Sequence, residues 1–452
     1  MKVSIIGAGY VGLVTAACLS EKGNDVKVYD ISKDKINRLS KGKMTIHEPG
    51  LEGLVKTNLA ESRLRFTTEL GQSLDDSEVI FLAVGTPPSG DGSADLTFLY
   101  KAAESIKNEL ITNPMKKPVV VATKSTVPPK TGQYIKGIFG GLNDKIFYAS
   151  VPEFLAEGTA VENFMHPNRI VVGVDSDYAK SVLKDLFRPF TAGGAQLFSC
   201  DIETAELSKY ASNYLLASRI SAMNELARIS GAFGADIGMI RKIVGSDERI
   251  GSKFLFPGIG YGGSCFPKDV KALQSIAKSG GIDAIIAKAI DEVNENQPLY
   301  FANLVANLFN DERYGLKDIT IGMWGLSFKN GSDDMRESRA LVVLKELLRK
   351  GAKVRVYDPI AMKMGTAQPA VRNVVQELGL NENMVIFAEG IYDAITPAYG
   401  LVICTDHDAF KSPDFERIKS LMCAPLIVDG RNLYEPEKME KKGFRYFSIG
   451  RK

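Results

Sequence analysis

The sequence predicts an α/β protein in which two doubly wound parallel sheets are joined by a helical domain with one long helix. Three observations carry this. Short apolar runs recur through residues 1–200, each closed by glycine or a polar loop, as buried parallel strands are. Residues 202–229 contain no glycine or proline and space their apolar residues helically. Residues 319–358 loosely repeat the pattern of residues 3–30, with an insertion at 328–338 after the glycine turn.

The first apolar run, residues 3–6, leads directly into Gly7-Ala8-Gly9-Tyr10-Val11-Gly12. Residues 13–21 read as a helix and residues 25–29 as a second strand ending at Asp30. This is the Rossmann-like order of strand, glycine turn, helix, strand and acid. Gly7 permits the tight turn, Gly9 lets a pyrophosphate approach the backbone, and Gly12 lets the helix pack on the strand. The N–H groups at the helix start suit phosphate. Asp30 lies 23 residues after Gly7, where a carboxylate accepts from a ribose diol. An acid there repels the 2′-phosphate of NADP, so NAD is the expected cofactor, although Lys33 and Lys35 soften that exclusion.

Residues 79–84 and 119–122 read as further buried strands. The loops after them, 85–88 and 123–128, lie where open α/β sheets bind ligands. A helix over 97–110 and strands over 147–151 and 170–174 carry the first domain to residue 200. The central domain is expected over 201–312, with more helix to about residue 310 and a glycine-rich break at 257–263. The third domain is expected over 313–452. There residues 318–325 read as strand and glycine turn, 340–350 as helix, and 401–404 and 426–428 as later strands; 351–358 echoes 23–30.

Composition narrows the function. Apolar residues make up 45% and charged residues 24%, which is ordinary for a globular chain and excludes disorder throughout. Lys and Arg number 56 against 54 acids, a balance that gives no support for a nucleic-acid or basic membrane binder. No apolar run reaches the roughly 18 residues of a membrane helix. The five cysteines are widely spaced and the three histidines stand in unrelated contexts, so neither a disulfide framework nor a metal site is expected. The N-terminus lacks the apolar core of a signal peptide, which points to the cytoplasm.

Two constellations carry chemistry. In the run from Gly260 to Asp269, Cys265 sits among glycines that leave room for a substrate, and Lys268 can favour its thiolate. Cys18 and Cys404 fall inside a helix and an apolar strand and read as structural. Lys209 and Asn213 are four apart on the long helix and share a face, where an ammonium and an amide suit an oxygen that becomes negative. Glu153 and Glu157 follow a strand; they read either as charges at a helix start or as groups that handle protons or contact the nicotinamide.

Taken together, GAGYVG (7–12), VGTPPSGDGSADL (84–96), STVP (125–128), PEFLAEGTA (152–160), K-Y-x-x-N (209–213), GYGGSCFPKD (260–269), WGLSFK (324–329) with DDMRES (333–338), and DGRNLY (429–434) run nearly end to end. On these motifs the chain resembles the UDP-glucose/GDP-mannose dehydrogenase family. The resemblance implies NAD-dependent four-electron oxidation of a sugar nucleotide, with Cys265 as nucleophile. It implies that Lys209, Asn213 and Asp269 assist proton transfer and hold the oxyanion, with Thr126, Glu153 and Glu157 completing the site. Cofactor contacts would come from Gly7, Gly9, Tyr10, Val11, Gly12, Asp30, Lys35, Thr86, Thr126, Glu157, Lys268 and Arg336. Substrate contacts would come from Glu153, Phe154, Leu155, Lys209, Asn213, Arg249, Phe254, Gly262, Lys329 and Arg431, with Arg249 reaching the substrate of a neighbouring subunit.

UDP-glucose is the favoured substrate, because Ser264 and Lys268 stand where the relatives that oxidise hexosamines carry other residues. GDP-mannose and a UDP-N-acetylhexosamine are the alternatives. A two-electron alcohol or hydroxyacid dehydrogenase leaves the second sheet unexplained, and a non-catalytic sensor leaves Cys265, Lys209 and Asp269 unexplained. The long helix implies a homodimer or a higher homo-oligomer, as in the family.

Overall fold

The apolar runs of the N-terminal half become neighbouring strands of one sheet. The computed structural model describes residues 1–142, 145–310, 315–317 and 319–451. Asp318 and the expected boundary at 312/313 lie outside the described residues. Two compact units are present: Met1–Ser212 with Ser275–Ile282, and Asn213–Gln274 with Asp283–Lys452.

In the first unit the strands are β1 (Lys2–Ile6), β2 (Asp25–Tyr29), β3 (Leu64–Thr67), β4 (Val79–Leu82), β5 (Val119–Thr123), β6 (Ile146–Ser150), β7 (Arg169–Val174) and β8 (Gln196–Cys200). They pair in the order β3-β2-β1-β4-β5-β6-β7-β8, parallel except for β6 against β7. β4 and β5 are buried along their whole length, as expected of inner strands covered on both faces. The order in which strands are added reverses between β1 and β4, which lie parallel, and this opens a crevice at their C-terminal ends. The loops after β1, β4, β5 and β6 gather at that edge.

The first helix, Tyr10–Glu21, begins three residues earlier than the sequence pattern suggests. Gly9 in extended backbone is its N-cap, and its carbonyl already accepts from Leu13 N–H at 2.9 Å. Gly12 therefore lies in the first turn, where a Cβ would fall 1.9 Å from the Gly7 carbonyl oxygen. Leu13, Val14 and Leu19 of this helix are fully buried against the sheet. Each such side chain contributes about 1.5–3 kcal/mol.

The second unit carries β9 (Thr320–Trp324), β10 (Lys353–Tyr357), β11 (Val385–Phe387), β12 (Gly400–Ile403), β13 (Leu426–Asp429) and β14 (Arg445–Ser448). Their order, β11-β10-β9-β12-β13-β14, is parallel throughout and doubly wound. The internal repeat is visible in the register: Val3 and Ile5 face Val26 and Val28 in one sheet, and Ile321 and Met323 face Val354 and Val356 in the other. The long helix spans Ile202–Phe233, and Ile237–Gly245, Phe266–Ser279 and Ile285–Phe309 follow it. Among the described residues no helix is long and apolar enough to cross a membrane.

Candidate active site

In the first unit the glycine turn and Asp30 form one cradle. Gly7 has φ +108°, and a Cβ on it would meet the Ala83 carbonyl oxygen at 2.7 Å. A Cβ on Gly9 would meet nothing within 4 Å, so the backbone there is open to a ligand. Asp30 is buried; its Oδ2 accepts from Ala8 N–H at 2.9 Å and from Lys35 Nζ at 3.0 Å, and its Oδ1 from Ser32 N–H at 3.0 Å. Burial pushes this carboxyl up, but the two N–H groups and the Lys35 ammonium outweigh it and hold Asp30 below the usual carboxylate range. An open glycine and an ionised acid at the strand end fit a dinucleotide with a free ribose diol. Val11 follows Tyr10 in the first helical turn.

The sequence reading missed Glu48. Its buried carboxylate accepts from Tyr10 Oη in a short hydrogen bond, from Gly158 N–H at 2.8 Å and from Val161 N–H at 3.3 Å. It thus ties the turn that carries Glu157 to the start of the first helix. Across the crevice Thr86 Oγ1 donates to the Thr126 carbonyl at 3.0 Å, joining the loops after β4 and β5.

After β6, Glu153 Oε1 pairs with Lys209 Nζ at 3.0 Å, with both side chains buried. The other Glu153 oxygen accepts from Leu155 N–H at 2.5 Å. Burial raises the Glu153 carboxyl, yet Lys209, the Leu155 N–H and Lys124 pull it below its ordinary value. Phe154 lies beneath two cations: Arg169 is 4.0 Å and Lys209 Nζ 5.6 Å from its ring centroid. The ring and the carboxylate hold the Lys209 ammonium in place. Lys209 is therefore not a solvated surface lysine.

In the second unit Cys265 directly precedes the helix Phe266–Ser279 and is partly exposed. The free N–H groups of a helix start favour an anion. Cys18 and Cys404 are buried instead, and burial pushes both thiols up to about 12. Asp269, one turn into the helix, accepts from Asn213 Nδ2 at 2.6 Å and from Lys268 Nζ at 2.5 Å. Lys268 is thus ion-paired with Asp269.

The glycine loop before Cys265 is gripped by buried amides that the sequence reading also missed. Asn294 accepts from Tyr261 N–H at 2.8 Å and donates to its carbonyl at 3.1 Å. Asn224 accepts from Gly258 N–H at 2.8 Å, and Gln297 donates to the Gly258 carbonyl at 2.8 Å. All three are fully buried. Their signal was polar residues on otherwise apolar helix faces. Gly262 admits no side chain, because a Cβ would fall 2.2 Å from the Glu337 carbonyl oxygen.

Arg431 donates Nε to the Cys404 carbonyl at 2.7 Å and an Nη to the Phe328 carbonyl at 3.1 Å, beside Lys329. Lys329 Nζ lies 5.4 Å from the Phe328 ring centroid. Phe254, at φ +62°, packs toward Phe266 with centroids 6.3 Å apart. Arg249 and Arg336 are exposed and engage Asp247 and Asp334 on their own loops.

Family models for the UDP-glucose/GDP-mannose dehydrogenase family match residues 1–191 (NAD binding domain), 203–296 (central domain) and 322–436 (UDP binding domain). The chain belongs to this family. It is 41% identical to the UDP-glucose 6-dehydrogenase of Pseudomonas aeruginosa over 100% of this chain and 98% of that one. A Bacillus subtilis UDP-glucose 6-dehydrogenase is 40% identical over 100% of this chain and 98% of its own. Among solved structures, the UDP-glucose dehydrogenase of Pyrobaculum islandicum superposes with a TM-score of 0.87 at 34% identity, covering 100% and 98% of the two chains. The UDP-D-ManNAc dehydrogenase of Pyrococcus horikoshii gives 0.84 at 28%, covering 100% and 99%. The cradle of Gly7 to Asp30 falls in the family's NAD binding domain and Arg431 in its UDP binding domain.

Proposed function

We propose that this chain oxidises UDP-glucose at C6 twice, giving UDP-glucuronate, and that Cys265 holds the carbon between the two oxidations. Family membership and the full-length relatives named UDP-glucose 6-dehydrogenase support the substrate. The observation that carries the mechanism is a partly exposed cysteine at a helix start on a glycine loop, while Cys18 and Cys404 are buried.

NAD, when bound in the cradle of Gly7 to Asp30, accepts a hydride in each oxidation. Lys209 and Asn213, one helical turn apart, hold the C6 oxygen as it loses its proton. The first oxidation removes a hydride and a proton, leaving an aldehyde. The Cys265 thiolate adds to that carbon and the oxygen takes up a proton, forming a thiohemiacetal. Loss of the second hydride and of that proton leaves a thioester. Water cleaves it, giving the carboxylate and returning the thiol. Asp269 steadies Asn213, while Thr126, Glu153 and Glu157 line the nicotinamide side. Arg431 and Lys329 hold the UDP from the C-terminal domain.

The domain division follows these roles: residues 1–200 for NAD, 201–312 for the cysteine and assembly, and 313–452 for UDP. The chain pairs with a second copy. Leu215, Ile229 and Phe233 expose apolar surface along the long helix, and Met239 and Ile243 are exposed on the helix that follows. Its place is the reducing cytoplasm, where five unbridged thiols persist.

The substrate is tested by NADH formation from UDP-glucose, GDP-mannose and UDP-N-acetylglucosamine. Turnover of UDP-glucose alone is expected; preference for either other sugar nucleotide would sink this choice. Glu48→Gln is expected to raise KM for NAD about tenfold with little change in kcat, because its amide nitrogen cannot accept from the donors that the carboxylate serves. An unchanged KM would show that the Tyr10–Gly158 tie does not shape the cofactor site.

A further inference from the structure

Lys124 follows β5 directly, at the C-terminal edge of the sheet and two residues before Thr126. It is 4% exposed. Its Nζ lies 5.9 Å from the ring centroid of Phe81 and 5.6 Å from that of Phe164. Among the described residues its Nζ makes no hydrogen bond. The charged groups it feels are Glu153 and Lys209, the buried pair at 3.0 Å. Two aromatic faces return only part of the hydration an ammonium loses on burial. An apolar side chain of the same length would suit this sheath better, so the charge itself needs a reason.

We propose that Lys124 is a positioning residue for the oxidation: its positive charge biases the Glu153–Lys209 pair toward losing a proton, so that the pair can take the one leaving the C6 hydroxyl. The proposal rests on reading Glu153 and Lys209 as part of the reacting site. It draws on the interior, where a charge acts over longer distances than in water. No contact between Lys124 and the substrate is required.

The charge is also titratable within the working range. Burial pulls the Lys124 ammonium down to about 8, with Glu153 opposing and Lys209 adding to the effect. Lys124 is therefore charged at pH 7 and loses its charge above about pH 8. Its effect on Glu153 runs the same way, since Lys124 is among the groups that hold that carboxyl down.

The test compares wild type, Lys124→Met and Lys124→Arg, by kcat against pH with UDP-glucose and NAD and by thermal unfolding against pH. Without the charge, Glu153 and Lys209 both bind protons more tightly. The acid limb of Lys124→Met is expected to move up by about one pH unit, which is roughly a tenfold loss of kcat on that limb. Its profile should rejoin wild type above pH 8, where Lys124 is itself neutral. Lys124→Arg keeps its charge at every pH, so it should hold the wild-type acid limb while Lys124→Met departs from it.

Unfolding provides the second readout. The folded chain holds Lys124 below its ordinary value, so it carries the charged form at a penalty below about pH 8. Lys124→Met should therefore melt higher than wild type at pH 7, and the gain should shrink as pH rises toward the ordinary lysine range. A variant that is more stable yet less active is not explained by a structural role. Superimposed pH profiles in a folded Lys124→Met, or an equal loss of kcat at every pH, would overturn the proposal while leaving the proposed function intact. A wild type that does not turn over UDP-glucose would overturn both.

Discussion

Cys265→Ala is expected to lower the NADH yield from two per UDP-glucose to at most one, and to cut the steady-state rate by at least about a thousandfold. The size of the effect follows from the chemistry. An aldehyde must be held and converted into a form that can give up a second hydride. A thiolate adduct does both, and the nearby carboxylate of Asp269 is occupied by Asn213 and Lys268. Cys423, exposed and outside the run from Gly260 to Asp269, supplies the control; Cys423→Ala should keep a yield of two. One NADH per sugar in the wild type, with Cys265→Ala unaffected, would reassign the chain to two-electron alcohol oxidation. Two NADH with Cys265→Ala unaffected would keep the product and place the nucleophile elsewhere.

What was legible in the sequence separates along physical lines. Inner strands read clearly because both of their faces are buried. Val79–Leu82 and Val119–Thr123 are apolar at nearly every position. The strands that went unread, β3, β8, β11 and β14, are the four outer strands of the two sheets. They are short and half exposed, so Gln196–Cys200 and Arg445–Ser448 carry no continuous apolar run. The helix start at Tyr10 was read late because a glycine N-cap leaves no side-chain signature.

The candidate site divides in the same way. Cys265, Lys209 and Asp30 stand in motifs with recognisable spacing. Glu48, Lys124 and Asn294 are defined by tertiary contacts, and each looks like an ordinary polar residue in its own segment. Lys124 had one local sign: a charge placed at the end of a fully buried strand, after four apolar positions and Thr123. Asn294 and Gln297 had another, as amides on the apolar stripe of a helix. Neither sign says which backbone group the side chain will meet, since Asn294 and Tyr261 are 33 residues apart.

Asn294→Leu is expected to lower kcat about a hundredfold and to draw the NADH yield from two per UDP-glucose toward one, with aldehyde released into solution. Leucine matches asparagine in size but offers nothing to the Tyr261 N–H. That group is then buried without a partner, at a penalty of about 1–3 kcal/mol. The Tyr261 carbonyl keeps its bond from Arg339 Nε at 2.9 Å, so the loop pivots about one contact instead of being held at both. Gly260, at φ +105° with its virtual Cβ 2.8 Å from Asn294 Oδ1, marks where the backbone is bent against that side chain. Three residues separate Tyr261 from Cys265, and a displacement of about 1 Å is enough to cost about a hundredfold in rate. Lys209 and Glu153 belong to a separate compact unit, so the first oxidation should survive better than the second. That asymmetry distinguishes a misplaced nucleophile from general loosening, which would slow both oxidations and leave the yield at two. Asn294→Asp retains the acceptor for Tyr261 N–H and should fall between wild type and leucine. A folded Asn294→Leu with full rate and a yield of two would mean that the glycines and the helix start place Cys265 without the amide.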